Sequence, residues 1–216
     1  MRTSGSAGSW RRRANDGLPD ARRGSAAIAM PADSDGYVSR GGEKLAAALD
    51  HFAVSVEDAV CADLGSHVGG FVDCLLRRGA RRIYSVDTAY GTLAWRLRRD
   101  SRVVVMERVN AMHVSLPEAV SVVTVDVGWT QQAYVLGNVA RLISPLAKVV
   151  TLIKPHYEAP RRWLVGGVLP NARVDEVVAR TLGEIERAGW SVSGTMCSPL
   201  RGHGGNTEVF ALLKRL

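Results

Sequence analysis

The stretch Ala62-Asp63-Leu64-Gly65-Ser66-His67-Val68-Gly69-Gly70 constrains the fold of this chain more than any other. Val60 to Leu64 reads as a short buried strand, glycines follow at once, and residues 70–78 read as a helix. Glycine is needed where a strand-to-helix turn must admit a ligand against bare backbone. A carboxylate after the next strand can accept hydrogen bonds from a ribose diol, and Val86-Asp87 stands where that strand ends. With one acid before the loop and another at Asp87, the pattern points to a nucleoside-cofactor site. The spacing Asp63-x-Gly65-x-x-x-Gly69 is closer to an S-adenosylmethionine loop than to Gly-x-Gly-x-x-Gly.

The rest of the chain repeats this alternation. Strands are predicted at 59–64, 82–86, 103–106, 120–125, 149–153, 191–197 and 207–213, and helices at 42–52, 70–78, 92–99, 131–142 and 174–188. Near-continuous Val/Ile runs between helices imply an α/β fold, a mostly parallel seven-stranded sheet covered on both faces, in one domain over residues 37–216. Residues 1–36 differ: they are rich in Gly, Ser, Ala and Arg without an apolar period, and are expected to be a disordered tail. Their Ala26–Met30 run is too short and too late for a secretory signal. The Arg-rich, Ser-containing start imitates an organellar transit peptide, but the preferred reading takes Met30 as close to the true start and the chain as cytoplasmic.

Composition narrows the function classes. A formal charge of +7 favours a polyanionic partner. The three cysteines, Cys61, Cys74 and Cys197, have apolar neighbours and no Cys-x-x-Cys pair, so buried thiols in a reducing compartment are expected and not a disulfide or zinc frame. Five scattered histidines offer no metal-ligand spacing, and no apolar run approaches the roughly 20 residues of a membrane span.

Arginine outnumbers lysine 24 to 4, so each lysine kept is informative. A guanidinium does not lose its proton in proteins, whereas a desolvated ammonium can serve as a general base. Lys154 ends the apolar run Val149-Val150-Thr151-Leu152-Ile153, and Lys44 starts the first helix beside Gly41-Gly42. Asp126 closes Ser121-Val122-Val123-Thr124-Val125, where it could equally cap the next helix. Glu208 follows Gly204-Gly205-Asn206-Thr207 and opens the last strand. The four positions bring two amines and two carboxylates to the cofactor edge of one sheet.

Tyr37-Val38-Ser39-Arg40-Gly41-Gly42-Glu43-Lys44-Leu45, Gly91-Thr92-Leu93-Ala94-Trp95, Val105-Met106-Glu107-Arg108-Val109-Asn110, Ile153-Lys154-Pro155-His156-Tyr157-Glu158 and Gly205-Asn206-Thr207-Glu208 appear in order. Together they resemble the TlyA-type haemolysin-like rRNA methyltransferases, within the FtsJ-like group. The resemblance implies a Rossmann-like methyltransferase using S-adenosyl-L-methionine, with Lys44, Asp126, Lys154 and Glu208 on the tetrad for ribose 2′-O-methylation. It implies that Asp63, Gly65, Ser66, Gly69, Gly70 and Phe71 hold the methionine portion, that Asp87 holds the ribose, that Asn110 flanks the adenine, and that Asp126 sits under the methyl group. The expected partner is RNA, ribosomal RNA or a ribosomal subunit, with phosphate contacts from Arg77-Arg78, Arg81-Arg82, Arg96, Arg98-Arg99 and Arg161-Arg162. The chain departs from the family at His67-Val68, at Val127-Gly128-Trp129 and at His156-Tyr157, and residues 1–36 are too short and irregular for the family's S4-like RNA-binding domain. Those departures motivate a runner-up, a small-molecule O-methyltransferase acting on a nucleoside-like or phenolic compound; a non-catalytic binding protein is a third class, opposed by the intact four-residue set.

Overall fold

The computed structural model describes residues 36–216; the expectations placed on residues 1–35, including the tail and the Met30 start, lie outside the described residues. In chain order the elements are α1 (Arg40–His51), β1 (Val60–Leu64), α2 (Gly70–Arg77), β2 (Arg82–Asp87), α3 (Trp95–Arg98), β3 (Val103–Glu107), β4 (Val120–Val125), α4 (Gln132–Leu142), β5 (Ile143–Ile153), α5 (Pro155–Glu158), α6 (Val174–Arg187), β6 (Trp190–Cys197) and β7 (Val209–Arg215). Three short 3₁₀ turns, Arg161–Trp163, Asn171–Arg173 and His203–Gly205, were not anticipated from sequence.

One seven-stranded sheet runs β3-β2-β1-β4-β5-β7-β6. The first five strands in that order pair in parallel, and β7 is antiparallel to both β5 and β6. Strand order reverses between β1 and β4, which opens a crevice at their carboxyl ends, the usual ligand position in such sheets. Successive strand residues feed opposite cores. Cys61, Ile83, Val122, Val150, Leu152 and Phe210 pack with α1 and α2, while Ala62, Tyr84, Val123, Val149, Ile153 and Ala211 pack with α4 and α6. This is why the strands read as unbroken apolar runs.

Helix α5 was not predicted, β7 is shifted two residues later than expected so that Glu208 precedes it, and two further elements differ. Helix α3 is a single turn because the Ala94 N–H is taken by the Val68 carbonyl at 3.0 Å, which keeps the segment before Trp95 extended. Strand β5 starts six residues early, since α4 runs straight into it and Ile143 already pairs with Val120 across a bulge. Cys61 and Cys74 are buried, and burial pushes their thiols up to about 12 and about 11. Cys197, expected to be buried, is exposed: it ends the edge strand β6, where outward residues alternate with inward ones.

Candidate active site

The site begins with how α1 is seated. Ser39 caps it, its hydroxyl accepting from the Gly41 N–H at 3.3 Å, and the Val38 N–H donates to Asp73 of α2 at 2.8 Å. A Cβ on Gly42 would enter the Tyr37 ring, and one on Gly70 would strike the Ser39 hydroxyl and the Gly42 nitrogen. The amino ends of α1 and α2 thus meet backbone to backbone, and Lys44 is carried inward one turn along α1.

The β1–α2 loop is shaped by similar contacts. Gly65 has φ of +94°, and a Cβ there would lie 2.5 Å from the Asp126 carbonyl oxygen. A Cβ on Gly69 would enter the Leu93 and Leu97 side chains. The glycines expected to make room for a ligand therefore make room first for the chain itself. Ser66 donates to the carbonyls of Asp63 and Val86 at 3.1 and 3.2 Å, which folds the loop back over β2.

Asp87 ends β2 with both oxygens engaged: Oδ2 accepts from the His67 N–H and Oδ1 from the Ala89 N–H, each at 2.7 Å. Each oxygen keeps a second lone pair for a hydroxyl donor. Asn110 accepts from the Met112 N–H at 2.9 Å and borders the same space. Asp63 is placed differently from the sequence expectation. It is fully buried, borders neither cavity of the site, and accepts from the Thr124 hydroxyl at 2.7 Å while its Oδ2 has no partner. Burial pushes its carboxyl up to about 7, with Asp126 and Asp87 adding to the rise and the Thr124 hydrogen bond opposing it.

Two cavities meet at Gly65, His67 and Asp126. The larger, about 680 Å³, runs from Asp87 and Asn110 to Lys154 and Tyr157. The smaller, about 320 Å³, lies between the helix amino ends and is bordered by Arg40, Lys44, Ser66, Gly70 and Phe71. The predicted tetrad forms two ion pairs here: Asp126 borders both cavities, Lys154 the larger and Lys44 the smaller, while Glu208 borders neither. Lys44 Nζ lies 2.6 Å from Glu208 Oε2, and Lys154 Nζ lies 2.6 Å from Asp126 Oδ1. Lys154 also donates to the Val127 carbonyl at 3.2 Å, which leaves one N–H unused among the described contacts. Burial raises the Asp126 carboxyl; Lys154 opposes that rise, Glu208 adds to it, and Lys44 opposes it, so the four groups form one electrostatic unit. Glu208 immediately precedes β7 and fills the place a Gly202 side chain would need.

Sequence reasoning treated Trp129, His156 and Tyr157 only as departures. Trp129 is 84% exposed, in the left-handed region at φ +61°, with its ring 4.9 Å from that of Tyr157. His156 stacks on Tyr157 at 4.1 Å, and burial holds its imidazole down at about 4, hence neutral. The adjacency of Trp129 to Asp126 and of Tyr157 to Lys154 was the available signal. Most of the arginines assigned to phosphate are committed elsewhere: Arg77 and Arg96 pair with Asp73, Arg78 with Asp50, Arg81 with Asp58, Arg82 with Glu118 and Arg98 with Glu107. Among the described residues no ion pair engages Arg99, Arg161 or Arg162, and no group of His, Cys, Asp and Glu has the arrangement to hold a metal. No helix among the described residues is long and apolar enough to cross a membrane.

Residues 37–215 match the family described as FtsJ-like methyltransferase. The 16S/23S rRNA (cytidine-2′-O)-methyltransferase TlyA of Mycobacterium tuberculosis is 39% identical over 212 residues, spanning 92% of this chain and 78% of that protein. A solved structure from Streptococcus thermophilus, described as a candidate hemolysin, superposes with a TM-score of 0.81 at 34% identity, covering 86% of this chain and 69% of the other. An S-adenosylmethionine-dependent methyltransferase from Mesorhizobium loti shares the fold at TM-score 0.58 and 18% identity, over 78% of this chain and 96% of its own.

Proposed function

This chain belongs to the FtsJ-like methyltransferase family, and from that premise we propose that it methylates a ribose 2′-hydroxyl of RNA, ribosomal RNA in particular, with S-adenosylmethionine as methyl donor. The carrying observation is the pair of ion pairs, Lys44–Glu208 beside the smaller cavity and Lys154–Asp126 beside the larger, with Asp126 bordering both. The larger cavity falls in the size range of small-molecule sites, and Asp87 at the end of β2 presents a carboxylate suited to a ribose diol. Asp87, Asn110 and the loop through Gly65 to Gly70 would hold the cofactor, which supplies an electrophilic methyl group when bound.

The remaining work falls to this chain's residues: aligning the hydroxyl and giving its proton somewhere to go. Lys154 Nζ, held by the Asp126 carboxylate and the Val127 carbonyl, is placed at the larger cavity to meet the hydroxyl. Passing one N–H proton from Lys154 to the Asp126 carboxylate would free a lone pair on the amine for the hydroxyl proton, leaving Lys154 an ammonium and Asp126 a neutral acid. The burial that raises the Asp126 carboxyl favours that relay. Lys44, paired with Glu208, borders the smaller cavity. Trp129 and Tyr157 offer aromatic faces beside Lys154, suited to an unstacked base, and this favours RNA over a small phenolic substrate. A ribosomal substrate, free or within a subunit, supports the reading of a cytoplasmic enzyme.

The test is incubation with methyl-labelled S-adenosylmethionine and ribosomal RNA or subunits, followed by mapping. Label on a ribose 2′-oxygen supports the reading. Cofactor binding without transfer to any ribosomal substrate overturns the RNA assignment.

A further inference from the structure

The loop 126–131 between β4 and α4 carries Asp126 and the Val127 carbonyl, both of which grip Lys154. Its first residue is tied to β1 through the Asp126 N–H and the Leu64 carbonyl at 2.9 Å. Its last residue, Gln131, is the N-cap of α4 but makes no side-chain capping bond. The helix's first N–H, that of Gln132, goes instead to Glu158 Oε1 at 2.9 Å. The Gln132 side chain donates to the Leu152 carbonyl at 3.3 Å and accepts from the Thr151 hydroxyl, all within buried surroundings.

Glu158 follows Lys154 by four residues. The intervening turn is closed by the Tyr157 N–H on the Lys154 carbonyl at 2.8 Å and the Ala159 N–H on the Pro155 carbonyl at 2.9 Å. A single helical turn therefore grips the same loop twice, with Lys154 on its early part and Glu158 on its far end. A buried carboxylate is a costly way to cap a helix that a Ser, Thr or Asp at Gln131 could cap locally. What a local cap could not do is lock the loop's far end to the turn bearing Lys154. The anion also suits the amino end of α4. Facing Glu158 from α6 are Arg180, which donates to its backbone carbonyl at 2.6 Å, and Glu184; burial pushes the Glu158 carboxyl up to about 7.

We propose that Glu158 is a positioning residue: it sets the distance between Lys154 and the loop carrying Asp126 by capping α4 from the Lys154 turn. This rests on the methyltransferase reading above. The test compares Glu158→Ala, Glu158→Gln and Glu158→Asp with the wild type in single-turnover transfer to ribosomal RNA, in S-adenosylmethionine titration and in hydrogen exchange over residues 128–132. Glu158→Ala is expected to slow transfer about 10- to 100-fold, the scale of a small misplacement, with cofactor affinity within about twofold and faster exchange in the loop. Glu158→Gln keeps an acceptor for the Gln132 N–H and is expected to restore the rate to within about threefold. Glu158→Asp is one methylene short, should behave like Glu158→Ala, and replaces it if that variant does not fold. An unchanged rate or unchanged exchange in Glu158→Ala overturns the inference, as does a Gln variant no faster than Ala or a cofactor affinity that falls in step with the rate. A wild type inactive on every ribosomal substrate instead removes the function reading, and the inference with it.

Discussion

Lys154 is the residue at which the chemistry is most directly read. Its ammonium is held by Asp126 and Val127 in a space bordering the larger cavity. Lys154→Arg keeps the positive charge but replaces an amine, which can pass on a proton, with a guanidinium, which does not. We expect the variant to bind S-adenosylmethionine as the wild type does, by calorimetric titration, and to lose methyl transfer by roughly 10²-fold or more. Retained activity with an unchanged pH–rate profile would reduce Lys154 to an electrostatic anchor. Asp63 offers a second test, of stability. Burial raises its folded carboxyl to about 7, above its unfolded value. The folded state therefore holds more protons than the unfolded chain from about pH 4 to 7, and stability falls as pH rises through that window. Asp63→Asn removes this titration while leaving the Thr124 hydroxyl an acceptor. Its denaturation free energy relative to wild type should improve from pH 4 to pH 8, by an amount on the order of a few kcal/mol. A difference that does not change with pH would show that Asp63 is not buried as an acid.

At the scale of elements, the turns at the carboxyl edge are held by backbone meeting backbone. Gly65→Val would add a branched side chain at positive φ against the Asp126 carbonyl, displacing the β4 loop as well as any ligand. We expect a stability loss of about 1–3 kcal/mol by thermal or urea denaturation, accompanied by weaker cofactor binding. Asp87→Ala removes the acceptor of the His67 and Ala89 N–H groups together with the proposed ribose contact. Its affinity for S-adenosylmethionine should fall by about 1.5–3 kcal/mol, the range for lost charged hydrogen bonds. Wild-type affinity in both variants would remove the cofactor assignment. These elements were legible to different degrees. The strands β1, β2 and β4 and the loop after β1 follow from apolar runs ended by Gly or Asp. The single turn of α3 and the early start of β5 do not, because they depend on Val68 and Val120, partners distant in sequence.

For the whole molecule, charge and placement part company. The +7 balance suits a polyanion, but six of the nine arginines proposed for phosphate contact are engaged with carboxylates of the same surface. The exposed 3₁₀ turn holding Arg161 and Arg162 follows α5 closely in the chain. Replacing both with Ala should reduce the salt dependence of RNA binding by a slope of about 2, while Arg78→Ala should change it little. The reverse pattern would place the RNA on the α1–α2 face. Deleting residues 1–29, which hold six arginines and two aspartates, should leave the melting temperature and cofactor affinity of the remainder unchanged, since that composition offers little apolar surface to bury. Sequence alone was enough for the mostly parallel sheet, the glycine loop after β1 and the placing of Lys44, Asp126, Lys154 and Glu208 near one sheet edge, because strand ends and turn glycines are local signals; their catalytic roles come from the family resemblance and are proposals. Tertiary structure decided how the tetrad divides into two pairs, that Asp63 stands behind the site, that Cys197 faces outward and that Glu158 caps a helix 26 residues before it. Each of these depends on which groups the strand order brings within hydrogen-bond reach, and sequence spacing carries no measure of that distance.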